Sequence, residues 1–484
     1  MLQQMRQRVT WYRSLIALLV LWSGVAVWHS WKPLPQGLGF QGPYRVTEAV
    51  EFLADLTWVD EHGQRRTDQR IFDRKLQLIG RAERLIVLDM FLFNQFAGDP
   101  AGAESRPLVD ELTAALVKRR KQHPGLRIIF ITDPLNTLYG GIESPPLDSL
   151  RAAGADVVIT ELGPLRDSNP LWSATWRLCC RWFGNSSANG WLPNPVGEQR
   201  ISLRTWLKIA QFKANHRKLL VVDDGEDWRA LVTSANPHDA SRAHGNTALV
   251  VTGEAALDLL DSEAAVARFS APGLDWPSPP SLPGAQLAHG IRVQVLTEAA
   301  IREAAIAALH AAGPGSHIDL AMFYLSHRGI IRALVQARRR GASVRVLLDP
   351  NEHAFGRRKN GVPNRPVAGE LMGHGIFVRW CHTSGEQCHS KQLLVRYHDG
   401  TARLISGSAN FTRRNLDTFN LETSLGVDGP ATAGVLVAAT EWFDQRWGNE
   451  GGRSFSLPYD RYADERRWRY WQYRIMEVTG LSTF

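Results

Sequence analysis

At 484 residues, 44% apolar and 21% charged, the chain is too long and too apolar for a disordered polypeptide, and it has room for two ordinary domains. Four cysteines are too few for a disulfide framework. A net charge of +8 points to anionic partners without separating phospholipid headgroups from nucleic acid.

Residues 1–42 read as a signal anchor and tether. Arg6, Arg8 and Arg13 precede an apolar stretch, Ser14 to Trp31, broken only by weakly polar residues and His29. As a helix of about 18 residues it spans roughly 27 Å, just enough to cross a bilayer. Cations before it and Trp22, Trp28 and Trp31 toward its far end fit an N-in orientation with an outer aromatic belt. Gly24-Val25-Ala26 is a poor cleavage site, so the helix is expected to stay attached, with the bulk of the chain outside the cytoplasm. Lys32 to Gly42 is Pro/Gly-rich.

From 43 to 271 the pattern is that of a first α/β lobe. Helical periodicity over Phe72–Ile79 leads into the strand Leu85–Phe91, and the helix Pro107–Lys121 into the strand Arg127–Thr132, closed by Asp133-Pro134. A short helix and the strand Ala155–Thr160 follow. Strands apolar on both faces, alternating with helices, predict a sheet covered on both sides. An insertion, 163–213, carries Trp172, Trp176, Trp182, Trp191 and Trp206 among Arg166, Arg177, Arg181 and Lys208. It is either a membrane-interface surface or a lid packed on the first lobe. A Pro-rich linker is expected over 272–288, with Pro272 to Pro283 as its joint.

Residues 289–450 repeat the plan. The helix Ile301–Ala312, the strand Ile318–Phe323 with the same Met-Phe pair, the basic helix Ile330–Arg340 and the strand ending in Asp349-Pro350 each have a counterpart, and Leu371–Trp380 completes the set. The period is far too long for a solenoid, so the expected fold is an internal duplication: two homologous lobes, each a mixed sheet flanked by helices. Lys118–Lys121 and Arg338–Arg340 end corresponding helices and read as solvated faces rather than a nucleic-acid track. The tail, 451–484, contains Arg466-Arg467-Trp468-Arg469-Tyr470-Trp471-Gln472-Tyr473-Arg474; on a helix its charges spread all round, a weaker sign of a membrane face than the insertion.

The chemistry lies in two short signatures that occur once per lobe. His216, Lys218 and Asp223 are followed by Ser234 and Asn236, and His389 and Lys391, with Arg396 in place of the aspartate, by Ser408 and Asn410. Residues i and i+2 of a strand share a face, so each His–Lys pair and each Ser–Asn pair should project together, and facing lobes would gather all eight side chains in one pocket. Two imidazoles, two ammonium groups and two carboxamides suit a phosphodiester. A neutral imidazole can attack, a protonated one can donate, and the lysines and asparagines can offset charge on the non-bridging oxygens. No carboxylate cluster or ligand spacing suggests a metal or other cofactor. A bridge between Cys381 and Cys388 would brace the loop that delivers His389; a zinc site from Cys381, His382, Cys388 and His389 is the alternative. Position +7 of the motif falls on the opposite face from His and Lys in a straight strand, so Arg396 should not disable the site.

The pattern resembles the phospholipase D superfamily, signature His-x-Lys-x4-Asp then Gly/Ser-x-Asn, over about residues 70–447. Asp349-Pro350-Asn351 and Lys359 to Arg365 look like bacterial cardiolipin synthase and related phospholipid-processing members. The resemblance implies a pseudo-twofold fold and a catalytic set of His216, Lys218, Asp223, Asn236, His389, Lys391, Asn410 and Glu422, with Ser234 and Ser408 contacting substrate. It implies that His216 attacks phosphorus to form a phosphohistidine, that His389 is acid then base, and that Glu422, two residues after Asn420, orients a histidine. Counting likewise from Asn246 gives Ala248 as the first-lobe counterpart. The partners implied are a phospholipid substrate and a membrane, at a bacterial inner membrane with the lobes periplasmic and the site complete within one chain, whatever its oligomeric state. A nucleic-acid phosphodiesterase, or a lipid-binding member with a degenerate second motif, are the alternatives.

Overall fold

A computed structural model describes residues 2–47, 49–96, 106–182, 190–194, 197, 199–278, 290–354, 357–482 and 484. Most of the expected linker, 279–289, lies outside the described residues, as do 183–189 of the insertion.

Two mixed sheets carry the two lobes. In the first lobe the strand order is Arg65–Asp68, Val50–Val59, Asn246–Thr252, Asp227–Thr233, Lys218–Asp224, Leu85–Met90, Arg127–Thr132, Asp156–Ile159. The last three run parallel and the others pair antiparallel. The second sheet repeats this order through Ile291–Thr297, Thr423–Pro430, Thr401–Gly407, Lys391–Arg396, His317–Met322, Ser343–Leu348 and Phe377–Cys381. The duplication expected from the apolar runs is therefore present strand for strand. Leu85–Met90 is buried at every position, as a strand covered on both faces requires.

Two expected boundaries move. Arg45–Thr47, just after the tether, pairs with Ile291–Thr297 at one edge of the second sheet, and Ser456–Pro458, in the expected tail, pairs with Phe377–Cys381 at the other. Both are three-residue strands, too short to carry an alternation signal.

One core runs between the lobes. Leu219, Val232 and Leu249 of the first lobe share it with Val295, Leu404 and Leu425 of the second, and the buried helix Glu254–Ser270 packs inside it through Leu259, Leu260 and Val266. Apolar burial at roughly 25 cal/mol per Å² thus ties the lobes together, which fixes the relative position of anything mounted on their facing edges.

The basic helix ends are solvated, and some of their guanidiniums are also tied to the fold. Arg119 Nε donates to Ala82 O, Arg338 Nε to Gly375 O at 2.9 Å, and Arg340 Nη2 to Leu309 O at 2.7 Å. These guanidiniums reach carbonyls of neighbouring segments, while Lys118, Lys121, Arg339 and Arg340 are exposed, as expected of solvated faces.

The N-terminal helix, Leu2–Trp31, contains a 21-residue segment, Trp11–Trp31, of mean hydropathy 1.5, long and apolar enough to cross a membrane. Its Leu15, Ile16, Leu18 and Leu19 are exposed, so this is no core helix. The insertion docks on it. Trp22 Nε1 donates to Thr175 Oγ1 at 3.0 Å in the helix Pro170–Leu178, and Asp167 N donates to His29 O at 2.9 Å. The insertion's base is pinched shut by Lys213, which donates to Leu162 O and Leu165 O and pairs with Asp167 at 2.7 Å. Trp176 is buried while Trp182 and Trp191 stand exposed, so the insertion is partly packed and partly a free apolar surface.

Candidate active site

The motif residues sit at strand ends rather than within strands. Lys218 and Lys391 open their strands, each histidine lies two residues ahead, and the Ser-x-Asn segments follow the strands Asp227–Thr233 and Thr401–Gly407. All four ends meet at the seam between the lobes.

The repeated Asp-Pro explains how the histidines are held. Asp133 Oδ2 accepts from Asn215 N at 2.7 Å and Asp349 Oδ2 from Cys388 N at 2.8 Å, fixing the residue before each histidine. Burial raises both carboxyl groups to about 7. The histidines themselves reach across the seam: His216 N donates to Leu421 O at 2.9 Å, and His389 N to Gly245 O at 2.7 Å. Arg217 adds a buried clamp, pairing with Glu263 of its own lobe and Glu298 of the other at 2.8 Å each. Cys381 is bonded to Cys388, directly ahead of His389, as the bracing argument expected.

The side chains then take unequal partners. His216 Nδ1 lies 2.8 Å from Glu422 Oε1, whereas His389 Nδ1 lies 3.1 Å from Asn246 Oδ1. Each partner comes from the opposite lobe. Glu422 and Asn246 are structural equivalents, because each precedes the threonine whose amide donates to the motif serine: Thr423 N to Ser408 Oγ at 3.0 Å and Thr247 N to Ser234 Oγ at 3.1 Å. Ala248 is therefore not the counterpart of Glu422.

These partners settle the roles of several side chains. Glu422 is fully buried, takes hydrogen bonds from Ser408 Oγ and Asn415 Nδ2, and faces His216 and Lys218. Burial pushes its carboxyl up, but His216, Lys218 and Ser408 outweigh this and hold it below the usual glutamate value. A carboxylate at Nδ1 keeps the proton there and leaves Nε2 with its lone pair free. Ser234 Oγ donates to Asn246 Oδ1 at 3.0 Å, and both serines are wholly buried. In this structure the hydroxyls of Ser234 and Ser408, expected at the substrate, bond to the acceptors behind the histidines.

Electrostatics favour neutral histidines. Burial lowers His216 to about 4, opposed by Glu422 and reinforced by Lys218. Burial, then Lys391 and His244, drive His389 well below the ordinary value. Lys218 is lowered to about 7 by burial, and Lys391 well below its usual value. Each lysine donates to the carbonyl of its own histidine, at 2.7 and 2.6 Å. Such crowding of cationic groups is costly without an anion between them, and a phosphate would relieve it. Asn236 is anchored through Oδ1 by Leu92 N at 3.3 Å, which leaves its NH2 as the donor to a ligand, and Asn410 Oδ1 is buried without a partner.

Phe91 and Phe323, the Phe of each repeated Met-Phe pair, wall the site. Their ring centres lie 4.7 Å from His216 and 5.1 Å from His389, and 4.9 and 5.2 Å from the two lysine Nζ atoms. The repeat of this pair was the signal that could have flagged them; Asn246 and the Asp-Pro carboxylates were likewise not anticipated as site residues.

Asp223 lies apart from this cluster. Its carboxylate accepts from the amides of Glu83, Arg84 and Leu85, so it is a brace at a strand start and not a catalytic group. Arg396 takes the same place with reversed charge, pairing with Asp319 at 2.8 Å beside Arg345. The strand-face argument holds. Asp223→Ala is expected to lower unfolding free energy by about 2 kcal/mol, through the amides it orphans, and Arg396→Ala by at most about 1 kcal/mol because that pair is partly exposed. Urea melts and turnover together check this; loss of turnover in Arg396→Ala beyond its loss of stability would return Arg396 to the site.

Residues 305–447 match the family described as cardiolipin synthase, PLD-like domain. A search of curated proteins finds no match. Among solved structures, phosphatidylserine synthase from Haemophilus influenzae Rd KW20 aligns over 92% of this chain and 97% of its own, at 10% identity and a TM-score of 0.53, which establishes the shared fold. Nuc from Salmonella typhimurium, a phospholipase D family member, aligns over 33% of this chain and 95% of its own at 21% identity and a TM-score of 0.26. Polyphosphate kinase from Porphyromonas gingivalis aligns over 89% of this chain at 13% identity and a TM-score of 0.46, and the chain spans 53% of that protein.

Proposed function

We propose that the chain is a member of the phospholipase D superfamily, to whose cardiolipin synthase, PLD-like domain its residues 305–447 are similar, and that it cleaves or transfers phosphodiesters of phospholipids through a phosphohistidine on His216. The observation that carries this reading is the unequal backing of the histidines, a carboxylate behind His216 and a neutral amide behind His389. A phosphorylated imidazole with a proton on Nδ1 is cationic, and Glu422 offsets that charge; the amide of Asn246 orients His389 without holding its proton back from a leaving group.

In the first step His216 Nε2 forms a bond to phosphorus, the P–O bond to the leaving alcohol breaks, and His389 Nε2 gives that alkoxide its proton. Lys218, Lys391, Asn236 and Asn410 hold the non-bridging oxygens. In the second step water or an alcohol attacks phosphorus, His389 takes its proton, and the N–P bond breaks, restoring His216. The negative phosphodiester raises the affinity of His389 for the proton it must donate.

Phospholipid is the substrate class favoured by the apolar N-terminal helix and by the match to a cardiolipin synthase-like domain. Arg6, Arg8 and Arg13 in the N-terminal part of that helix support an N-in topology at a bacterial inner membrane, with the lobes outside the cytoplasm. Purified protein with phosphatidylglycerol or phosphatidylethanolamine in mixed micelles should yield phosphatidic acid, cardiolipin or an exchanged headgroup. Cleavage of DNA or RNA with no lipid product would overturn the substrate class and leave the chemistry standing.

Glu422→Gln is expected to lower kcat by about 10²-fold or more, within the range of general acid–base contributions. The sign of its pH effect is fixed by the charges. His216 must be neutral to attack, so the rate falls as pH drops through its value of about 4. Glu422 raises that value, and removing its charge should move the acid limb of the kcat/KM profile to lower pH. A shift to higher pH would contradict the pairing.

A further inference from the structure

The C-terminal helix, Arg467–Thr479, does not distribute its residues as the interleaved charges suggested. Trp468, Trp471, Ile475 and Val478 are all exposed, Trp471 at 61% and Val478 at 67%. At about 100° per residue these four positions fall within a stripe roughly 80° wide. Arg469 pairs with Asp464 at 2.7 Å and, like Arg466, lies over the Trp468 ring at the stripe's N-terminal end, and Tyr473 and Glu477 are buried on the opposite side. There Tyr473 Oη accepts from Arg328 Nη1 at 2.7 Å, and Glu477 accepts from Ser326 Oγ at 2.7 Å and Arg413 N at 2.8 Å. The helix is therefore locked to the second lobe by one face, and its second, apolar face stands exposed among the described residues.

Its position gives that face a partner. The helix ends at Gly480, φ +74, where a Cβ would lie 1.7 Å from Ser168 O. The neighbouring Asp167 N is bonded to His29 O, at the end of the membrane-length helix. The C-terminal end of the helix thus lies beside the segment that holds the end of the anchor. The segment that follows the helix leads toward the site: beyond Gly480, Phe484 lies 6.0 Å from Tyr324, which lies 4.1 Å from Phe323, which lies 5.1 Å from His389.

We infer that this helix is an interfacial membrane-docking element: its Trp468, Trp471, Ile475, Val478 stripe lies in the headgroup–acyl boundary of the bilayer that holds the anchor, beside the mouth of the catalytic seam. Arg467 and Arg474 lie along one edge of the stripe at adjacent helical angles, Arg474 also donating to Tyr470 Oη at 2.8 Å, where their cationic head groups meet lipid phosphates while their stems lie along the apolar face. The occupant is a phospholipid bilayer, and the inference rests on the membrane reading above. Through it, a lipid headgroup reaches the histidines without leaving the interface.

The described cysteines are all disulfide-bonded, so a single introduced cysteine takes a spin label selectively. The full chain would be placed in phosphatidylglycerol-containing nanodiscs with labels at Trp471→Cys, Val478→Cys and, in the exposed turn after Lys391–Arg396 at the far end of the strand from His389, His398→Cys. Power saturation should show the first two with oxygen access exceeding that of a water-soluble nickel reagent, and the third with the reverse. Water-like access at 471 and 478, or mutual broadening between labels that persists without lipid, would overturn the inference, the latter by showing a second copy as occupant. As an independent arm, Trp471→Glu with Val478→Glu should lower turnover of long-chain lipid in vesicles at least tenfold while turnover of a short-chain monomeric phospholipid stays within about twofold. Equal loss on both substrates would contradict it. Should wild type turn over neither lipid, the substrate proposal fails, and the spin-label result still decides the docking helix.

Discussion

Replacing His216 with alanine is expected to reduce turnover by on the order of 10³- to 10⁶-fold, the range seen when a covalent nucleophile is removed. The expectation follows from what surrounds the ring. His216 is held at its amide by Leu421 O, walled by Phe91, and oriented by a buried Glu422 that itself has three partners, so no neighbouring group can take over its approach to phosphorus. Binding should survive: Lys218, Lys391 and the asparagines remain, so a phosphodiester should protect His216→Ala thermally about as well as it protects wild type. Chemistry would be lost and recognition kept, measured as kcat against ligand-induced shift in Tm. Comparable turnover in His216→Ala would mean that the nucleophile lies elsewhere.

His389→Ala should fail differently. With a natural alkoxide leaving group the first step loses its acid, an expected fall of about 10²- to 10⁴-fold. With a p-nitrophenyl ester, whose leaving group departs without a proton, the first step should proceed and the second, which needs a base, should not. The variant should then release one equivalent of p-nitrophenol per site in a burst and stop. A linear release at the same rate with both leaving groups would remove His389 from proton transfer.

Much of this was readable in the chain. Apolar runs such as Leu85–Met90 and Ile318–Met322 repeat with their Met-Phe and Asp-Pro ends, and that repetition gave both the two lobes and the pairing of motifs. Strand parity likewise puts Asp223 on the bracing face, although the resemblance groups it with the catalytic residues. What escaped was whatever depends on the other lobe. The partners behind the histidines cross the seam, and no local pattern reports a contact between Asn246 and His389 across 143 positions. Asn246 follows Asn236 by ten residues and Glu422 follows Asn410 by twelve, so matching asparagines by eye misaligned the loops by two and produced Ala248. The tail is a related case: whether Arg469 joins a charged face or folds back onto Asp464 is decided by tertiary contact, and Trp468, Trp471, Ile475 and Val478 are left exposed on one side of the helix.

The central claim is that the lobes form one site in which the two histidines have distinct tasks set by Glu422 and Asn246. It is tested most directly by incubating His389→Ala with bis-p-nitrophenyl phosphate, quenching in alkali to preserve the phosphoramidate, and mapping the adduct by peptide mass spectrometry. A single p-nitrophenylphosphoryl group on His216 is the predicted result; an adduct on any other residue, or none despite a burst of p-nitrophenol, would contradict it.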